Sequence, residues 1–220
     1  MFDPVEMMPL EKQEDILARL RATGITSVDD YTPFPKPFCV NPNSVKAIYL
    51  GCDPTNTKYM NRFEYAFALP DGRKYHFEQF VEGHRKQLEA IRLSWDQVYV
   101  QNLCQNYFTE ETSQNKREWE LAAGIWIPEL QGELEQFHND IPILLTSQLL
   151  LHVLLHDRKN ARRAEEYYYC REGAAVPIQA EHNKLSCPLI PLYRHPKYNL
   201  SNWKQYGGMV CKHLNNAESV

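Results

Sequence analysis

The segment IYLGCDPTNT, residues 48–57, is typical of a buried strand that ends abruptly in a turn. Apolar residues lead into Gly51, and Cys52, Asp53 and Pro54 follow directly. An aspartate in this position commonly starts a turn or caps a helix. In a sheet built from alternating strands and helices, however, the strand ends are also where ligands bind. The role of Asp53 therefore depends on what the rest of the chain places beside it.

Three more segments share the short, apolar composition of this strand, and helical patterns lie between them. The predicted strands are 45–51, 97–102, 141–146 and 188–193. The predicted helices are 10–24, 75–94, 116–137, 148–156 and 203–214. We expect the helix at 116–137 to be kinked or split at Pro128 and Gly132. Such alternation predicts parallel βαβ units and a sheet that is covered on both faces. We expect a three-layer α/β/α fold around a central, mainly parallel four-stranded sheet.

The length of 220 residues predicts a single domain. Residues up to about 44 form a predicted helical extension with a proline-rich connector, and the charged, tyrosine-rich stretch 157–186 interrupts the alternation as an insertion. Its run RKNARRAEEYYY could be a DNA-contacting surface or a solvated helix face followed by a packed strand. We favour the second interpretation, because runs of mixed charge are usually exposed to solvent.

Composition narrows the class of protein. The chain has 43% hydrophobic and 24% charged residues, as expected of a soluble domain with a core, and its formal charge of -4 argues against binding nucleic acid through bulk positive charge. A local basic face stays possible, since a groove needs only a few clustered cations. The six cysteines form no C-x-x-C pair, and the N-terminus has no basic leader, so we expect a cytoplasmic protein in a reducing compartment. His152 and His156 have ligand spacing but no neighbouring acid, so we expect no metal.

Polar side chains follow each predicted strand. Asp53 follows the first predicted strand, and Asn102 ends the second. Thr146 and Ser147 come at the end of the third, and Arg194, His195 and Pro196 follow the fourth. The carboxyl ends of parallel strands lie along one edge of a sheet, so we expect an acid, an amide and an imidazole to converge there. Each residue alone has a structural explanation as a turn former or loop residue. The expected presence of all three at one edge of the sheet is what favours a functional site there.

Four motifs at these places resemble, in the same order along the chain, those of the uracil-DNA glycosylase superfamily. They are GCDPTNT at 51–57, YAFALP at 65–70, VYVQNLCQNYF at 98–108 and LYRHPKYNLSNW at 192–203, similar to the family's G-x-D-P motif, aromatic segment, asparagine-ended strand and H-P-S loop. The resemblance covers 45–209 apart from 157–186. It implies a cofactor-free, monomeric DNA repair enzyme that flips uracil or a related damaged base out of DNA. That enzyme would hydrolyse the N-glycosidic bond and leave an abasic site, the first step of base excision repair.

The resemblance also implies roles for individual residues. Asp53 would position a water and stabilise the cationic sugar, and His195 would donate a hydrogen bond, as a neutral imidazole, to uracil O2. Asn102 would match O4 and N3–H of uracil, and Phe67 would stack on the flipped base. Further substrate contacts fall on Cys52, Thr55 and Asn56, and DNA contacts on Lys197, Tyr198, Leu200, Ser201 and Lys204. Among the latter, Leu200 or Tyr198 would be the wedge that fills the base stack.

Three positions depart from the family pattern. Thr55 stands where many members have a tyrosine whose ring excludes the thymine methyl, Asn56 stands at a histidine position, and Lys197 replaces the serine of H-P-S. These departures favour a second hypothesis, a protein that keeps the fold and binds nucleic acid or a nucleobase without cutting. A third is a structural α/β domain in which Asp53, Asn102 and His195 are not clustered.

Overall fold

A computed structural model of the chain describes residues 7–54, 62–70, 72–138 and 140–216. Within these ranges four strands, β1 (Ala47–Gly51), β2 (Val98–Asn102), β3 (Ile143–Leu145) and β4 (Leu189–Pro191), form one sheet in the order β2-β1-β3-β4. All three pairings are parallel. This confirms the predicted sheet. Each strand is shorter than predicted, because apolar sequence continues beyond the part of the strand that pairs with a neighbour.

Six α-helices accompany the sheet in the part of the chain that the structure describes: α1 (Leu10–Ala22), α2 (Glu78–Ala90), α3 (Lys116–Leu134), α4 (Gln148–Leu154), α5 (Ala164–Tyr168) and α6 (Lys204–Asn216). The connections from β1 through α2, from β2 through α3 and from β3 through α4 and α5 produce the three-layer α/β/α fold. Of the two alternatives for the third helix, the split is wrong, since α3 runs unbroken through Pro128 and Gly132, and a kink there stays a prediction. Its buried stripe, which includes Trp119, Trp126 and Leu130, stabilises the helix beyond what the proline costs.

The core is continuous across the sheet, because every residue of the four strands is buried. Burial on both faces is why these strands read as unbroken apolar runs rather than as alternating patterns. Two groups of polar side chains in this core are paired: Trp126 Nε1 donates to Asn106 Oδ1 at 2.7 Å, and Glu133 accepts from Tyr99, Gln101 and Gln105. Side-chain hydrogen bonds of this kind rigidify the packing of helix α3 against strand β2.

The segment 157–186 docks against the end of β4. Its arginines and Lys159 are exposed, as expected of a solvated charged face, but the tyrosines lie in and directly after helix α5 rather than in a strand. Tyr168 is buried, stacks on Tyr206 with ring centroids 4.4 Å apart, and accepts the Tyr193 backbone N–H at 2.7 Å. The helix is favoured because it turns Tyr167 and Tyr168 inward while it leaves Tyr169 exposed.

Candidate functional site

The ends of β1 and β2 place Asp53 close to Asn102. The two strands pair in a register that sets Gly51 opposite Asn102, and the pairing continues past both strands, since Cys104 N–H donates to Cys52 O at 2.9 Å. Neighbouring strands lie about 4.8 Å apart. Asp53 therefore lies at the same edge as Asn102 and one strand away from it. We call this edge, where β1 to β4 end, the carboxyl edge.

Gly51 lets two side chains approach the end of β1. A Cβ built on Gly51 would lie 2.3 Å from Asn102 Oδ1 and 2.6 Å from the ring of Phe67. Both distances are below what real Cβ atoms tolerate, so the amide and the ring occupy the space that a side chain at this position would fill. A flat ring and an amide are thereby brought together against one bare α-carbon at the carboxyl edge.

Asn102 as a residue is only 3% exposed. Its side-chain amide makes no hydrogen bond to any other residue in the described parts of the chain, whereas its backbone N–H donates to Gln101 Oε1 at 2.9 Å. An amide offers one donor group and one acceptor. Because neither is used by another described residue, both are available to a ligand that carries the matching pair.

Phe67 is held in a strained conformation by its surroundings. Its φ of 62° lies in the left-handed region, which costs a non-glycine residue about 1–2 kcal/mol. The ring packs against Tyr49, Phe80 and His84, with centroids 5.5, 5.8 and 5.0 Å away. We call Tyr49, Phe67, Phe80 and His84 the aromatic cluster. Strain of this kind persists only where the fold over-determines it, and it is concentrated at binding sites.

The aromatic cluster contains a buried polar pair. Tyr49 Oη and His84 Nδ1 lie 2.5 Å apart, and burial, assisted by the positive charge of Arg194, lowers the pKa of His84 to about 3. The imidazole is therefore neutral. His84 and Phe80 are four residues apart on α2, so they share a helix face, but their sequence carries no motif that assigns them to the site.

Asp53 is held by a residue that the sequence did not single out. Thr112 Oγ1 donates a hydrogen bond to Asp53 Oδ1, from the loop that joins β2 to α3. The neighbouring Cys52 is no nucleophile, because burial first and the Asp53 charge second raise its pKa to about 12. The carboxylate is thus oriented by a hydroxyl and flanked by a protonated thiol.

His195 lies at the end of β4, at the same edge but two strands from β1. The ladder from β3 continues to it, since Arg194 N–H donates to Thr146 O at 3.0 Å. Its exposed ring accepts the Lys197 N–H on Nδ1 at 3.2 Å. In a neutral imidazole that leaves Nε2 as the protonated nitrogen, able to donate to a ligand.

The five predicted DNA-contact residues differ in accessibility. Lys197 is exposed but ion-paired with Glu165 of α5, and Tyr198 is half-buried with its ring 4.7 Å from that of Tyr168. Leu200 is 3% exposed, whereas Ser201 and Lys204 are exposed. Of the two predicted wedges, Tyr198 is therefore the more accessible. Thr55 and Asn56 lie outside the described residues.

Comparison with known proteins does not assign this chain to a family. No family model matches the chain, and no curated protein matches it in sequence. Within the ranges that the structure describes, no helix is both long and apolar enough to cross a bilayer. In those same ranges, no cluster of three or more histidine, cysteine, aspartate or glutamate residues could hold a metal ion. The fold and the carboxyl edge therefore define an α/β domain with a polar site backed by aromatic rings.

Proposed function

We propose that this protein is a DNA glycosylase that flips uracil, or a related damaged base, out of DNA and hydrolyses its N-glycosidic bond. The observation that carries the proposal is the unpaired Asn102 amide beside the Phe67 ring, both lying against Gly51. A ring to stack on and an amide to read an edge are what a flipped base requires.

The amide suits uracil better than cytosine. Its NH₂ group can donate to O4, and its carbonyl can accept from N3–H. Cytosine presents a donor and an acceptor in the opposite order, so an amide fixed in place would oppose it with like groups. Stacking on Phe67 would contribute about 1–3 kcal/mol and is tolerant of base identity. The selectivity would therefore come from Asn102 and the affinity from the ring.

Bond cleavage would use two residues of the carboxyl edge, Asp53 and His195, which lie two strands apart. As the C1′–N1 bond breaks, its electron pair goes to the base and the sugar becomes cationic. Asp53, oriented by Thr112, would stabilise that cation and take a proton from the water that adds to C1′. His195 would donate Nε2–H to the base oxygen, where negative charge grows.

A binding protein that does not cut is the second candidate. The Lys197–Glu165 ion pair supports it, because that pair neutralises a cation that a DNA-handling loop would turn toward phosphate. The departures at Thr55 and Asn56 favour it too. Such a protein would retain recognition by Phe67 and Asn102 without productive use of Asp53.

The test uses single- and double-stranded oligonucleotides carrying one uracil, with alkali to cleave abasic sites. We expect cleavage by the wild-type protein, faster on single strands because an unpaired base costs less to flip. Asp53→Asn and His195→Ala should each lose about 100-fold or more in rate. Asp15→Asn, on an exposed carboxylate of α1, is the matched control and should not change the rate.

The same oligonucleotides separate the two candidates. Intact DNA together with salt-sensitive binding in a gel shift would establish the binding protein, since phosphate contacts weaken steeply with salt. Neither cleavage nor binding would refute both candidates. Equal rates in Asp53→Asn and the wild type would refute the role of the carboxylate while leaving the activity.

A further inference from the structure

One cation at the carboxyl edge has no role in the scheme above. Arg194 follows β4, and its backbone is held by the hydrogen bond to Thr146 O. Its side chain is exposed and makes neither an ion pair nor a side-chain hydrogen bond within the described residues. The neighbouring Lys197, by contrast, is ion-paired with Glu165. An unpaired guanidinium at a strand end is available to a ligand.

The guanidinium reaches back over the aromatic cluster. Its central carbon lies 5.7 Å from the centroid of Phe80, whose ring is in turn 5.8 Å from Phe67 and 4.4 Å from His84. The Arg194 charge also acts on Cys52, the residue next to Gly51, where it opposes the rise in the thiol pKa. The positive charge of Arg194 therefore acts at the end of β1, although Arg194 itself follows β4.

Opposite charges thus border the place where Phe67 and Asn102 would hold a base. Asp53 contributes the negative charge beyond β1, and Arg194 contributes the positive charge above the aromatic cluster. Breaking a glycosidic bond separates charge in the same sense, with a cation on the sugar and an anion on the base. Two fixed charges of this polarity stabilise the transition state more than the uncharged ground state.

We infer that Arg194 is a further catalytic residue, which stabilises the negative charge on the departing base while Asp53 stabilises the sugar. The inference rests on the proposed function. Arginine keeps its proton, so it acts by charge and hydrogen bonding and not as an acid. The C1′–N1 electron pair leaves on the base, Asp53 takes the proton of the attacking water, and solvent later protonates the released base anion.

The sharpest test varies the leaving group. Single-turnover rates would be measured on oligonucleotides carrying uracil or 5-fluorouracil, whose fluorine withdraws charge and makes the base leave more easily. We expect Arg194→Gln to slow uracil release about 10²–10³-fold, as loss of one charge-stabilising donor does. It should slow 5-fluorouracil release much less, because that base needs less help. Arg194→Lys should recover part of the rate, since it keeps the charge but not the planar fork.

The control is Arg171→Gln, which removes another exposed guanidinium that lies over an aromatic ring, 5.5 Å from the Tyr169 centroid, but not at a strand end. It should leave both rates unchanged. Equal slowing of both substrates by Arg194→Gln, with a higher KM and a smaller salt dependence, would overturn the inference and assign Arg194 to a DNA phosphate. An unchanged rate would also overturn it.

A second readout keeps the inference testable if the wild type releases no base. 5-Nitrouracil, an acidic uracil, would be titrated against the protein by equilibrium dialysis at a pH where it is an anion, with neutral uracil in parallel. We expect the wild type to prefer the anion and Arg194→Gln to lose that preference. Anion preference without base release would refute the glycosylase and retain the charge assignment, whereas no preference would refute the charge assignment.

Discussion

The substitution Gly51→Ala is expected to damage the site more than it damages the fold. The added Cβ would lie 2.3 Å from Asn102 Oδ1 and 2.6 Å from Phe67, while ordinary contact begins at 3.4 Å. The amide must therefore retreat by about 1.1 Å and the ring by about 0.8 Å. Neither can move freely, because Asn102 is on a buried strand and the Phe67 ring packs against Tyr49, Phe80 and His84.

The magnitudes follow from these displacements. Overpacking of a well-filled site costs about 1–3 kcal/mol in the free energy of unfolding. For a chain of this size that corresponds to a Tm lower by about 2–12 °C, so the variant should still be folded at room temperature. A reacting group misplaced by about 1 Å costs about 100-fold in rate. The rate of uracil release, or the affinity for uracil if the protein only binds, should thus fall by more than the fraction of unfolded protein at the assay temperature explains.

The assay pairs a thermal melt with the uracil-release rate at a temperature well below both melting transitions. Gly124→Ala is the matched control, since a Cβ there meets nothing within 4 Å in the middle of α3. It should raise the unfolding free energy by about 0.5–1 kcal/mol and leave the site unchanged. A Gly51→Ala protein with wild-type Tm and wild-type rate would refute the reasoning that the bare α-carbon positions the amide and the ring.

Three further results are expected from the core. Between pH 6.5 and about 3 the unfolding free energy should fall by about 1.4 kcal/mol per pH unit through His84, because the unfolded imidazole binds a proton that the folded one refuses. His84→Asn should flatten that slope in urea titrations, and an identical slope would contradict the assignment. Trp126→Phe should lower the unfolding free energy by about 1–3 kcal/mol more than Trp119→Phe. The first substitution leaves Asn106 Oδ1 without its donor, whereas Trp119 Nε1 has no hydrogen-bond partner among the described residues to lose. Equal urea midpoints of the two variants would count against this. Glu133→Gln should cost about 1.5–3 kcal/mol, since an amide cannot accept from all three donors that the carboxylate serves, and an unchanged midpoint would show that the donors find other partners.

The architecture could be predicted from local sequence for a physical reason. Strands buried on both faces must be continuously apolar, so β1 to β4 are visible as short runs, and their alternation with helices allows only a parallel sheet. Once the strands are parallel, Asp53, Asn102 and His195 must lie at one edge. A split at Pro128 and Gly132, one of the two alternatives expected there, was wrong because the burial of α3 stabilises the helix more than the proline weakens it.

What only the tertiary structure decided is which side chains meet at that edge. Thr112 lies on Asp53, the Phe67 ring lies against Gly51, Glu165 pairs with Lys197, and the Arg194 guanidinium lies over Phe80. Each contact joins residues that are distant along the chain or placed by strained backbone, so no local pattern encodes it. Composition and periodicity determine what each element buries, whereas the path of the chain around the sheet determines which polar groups are left to face a ligand.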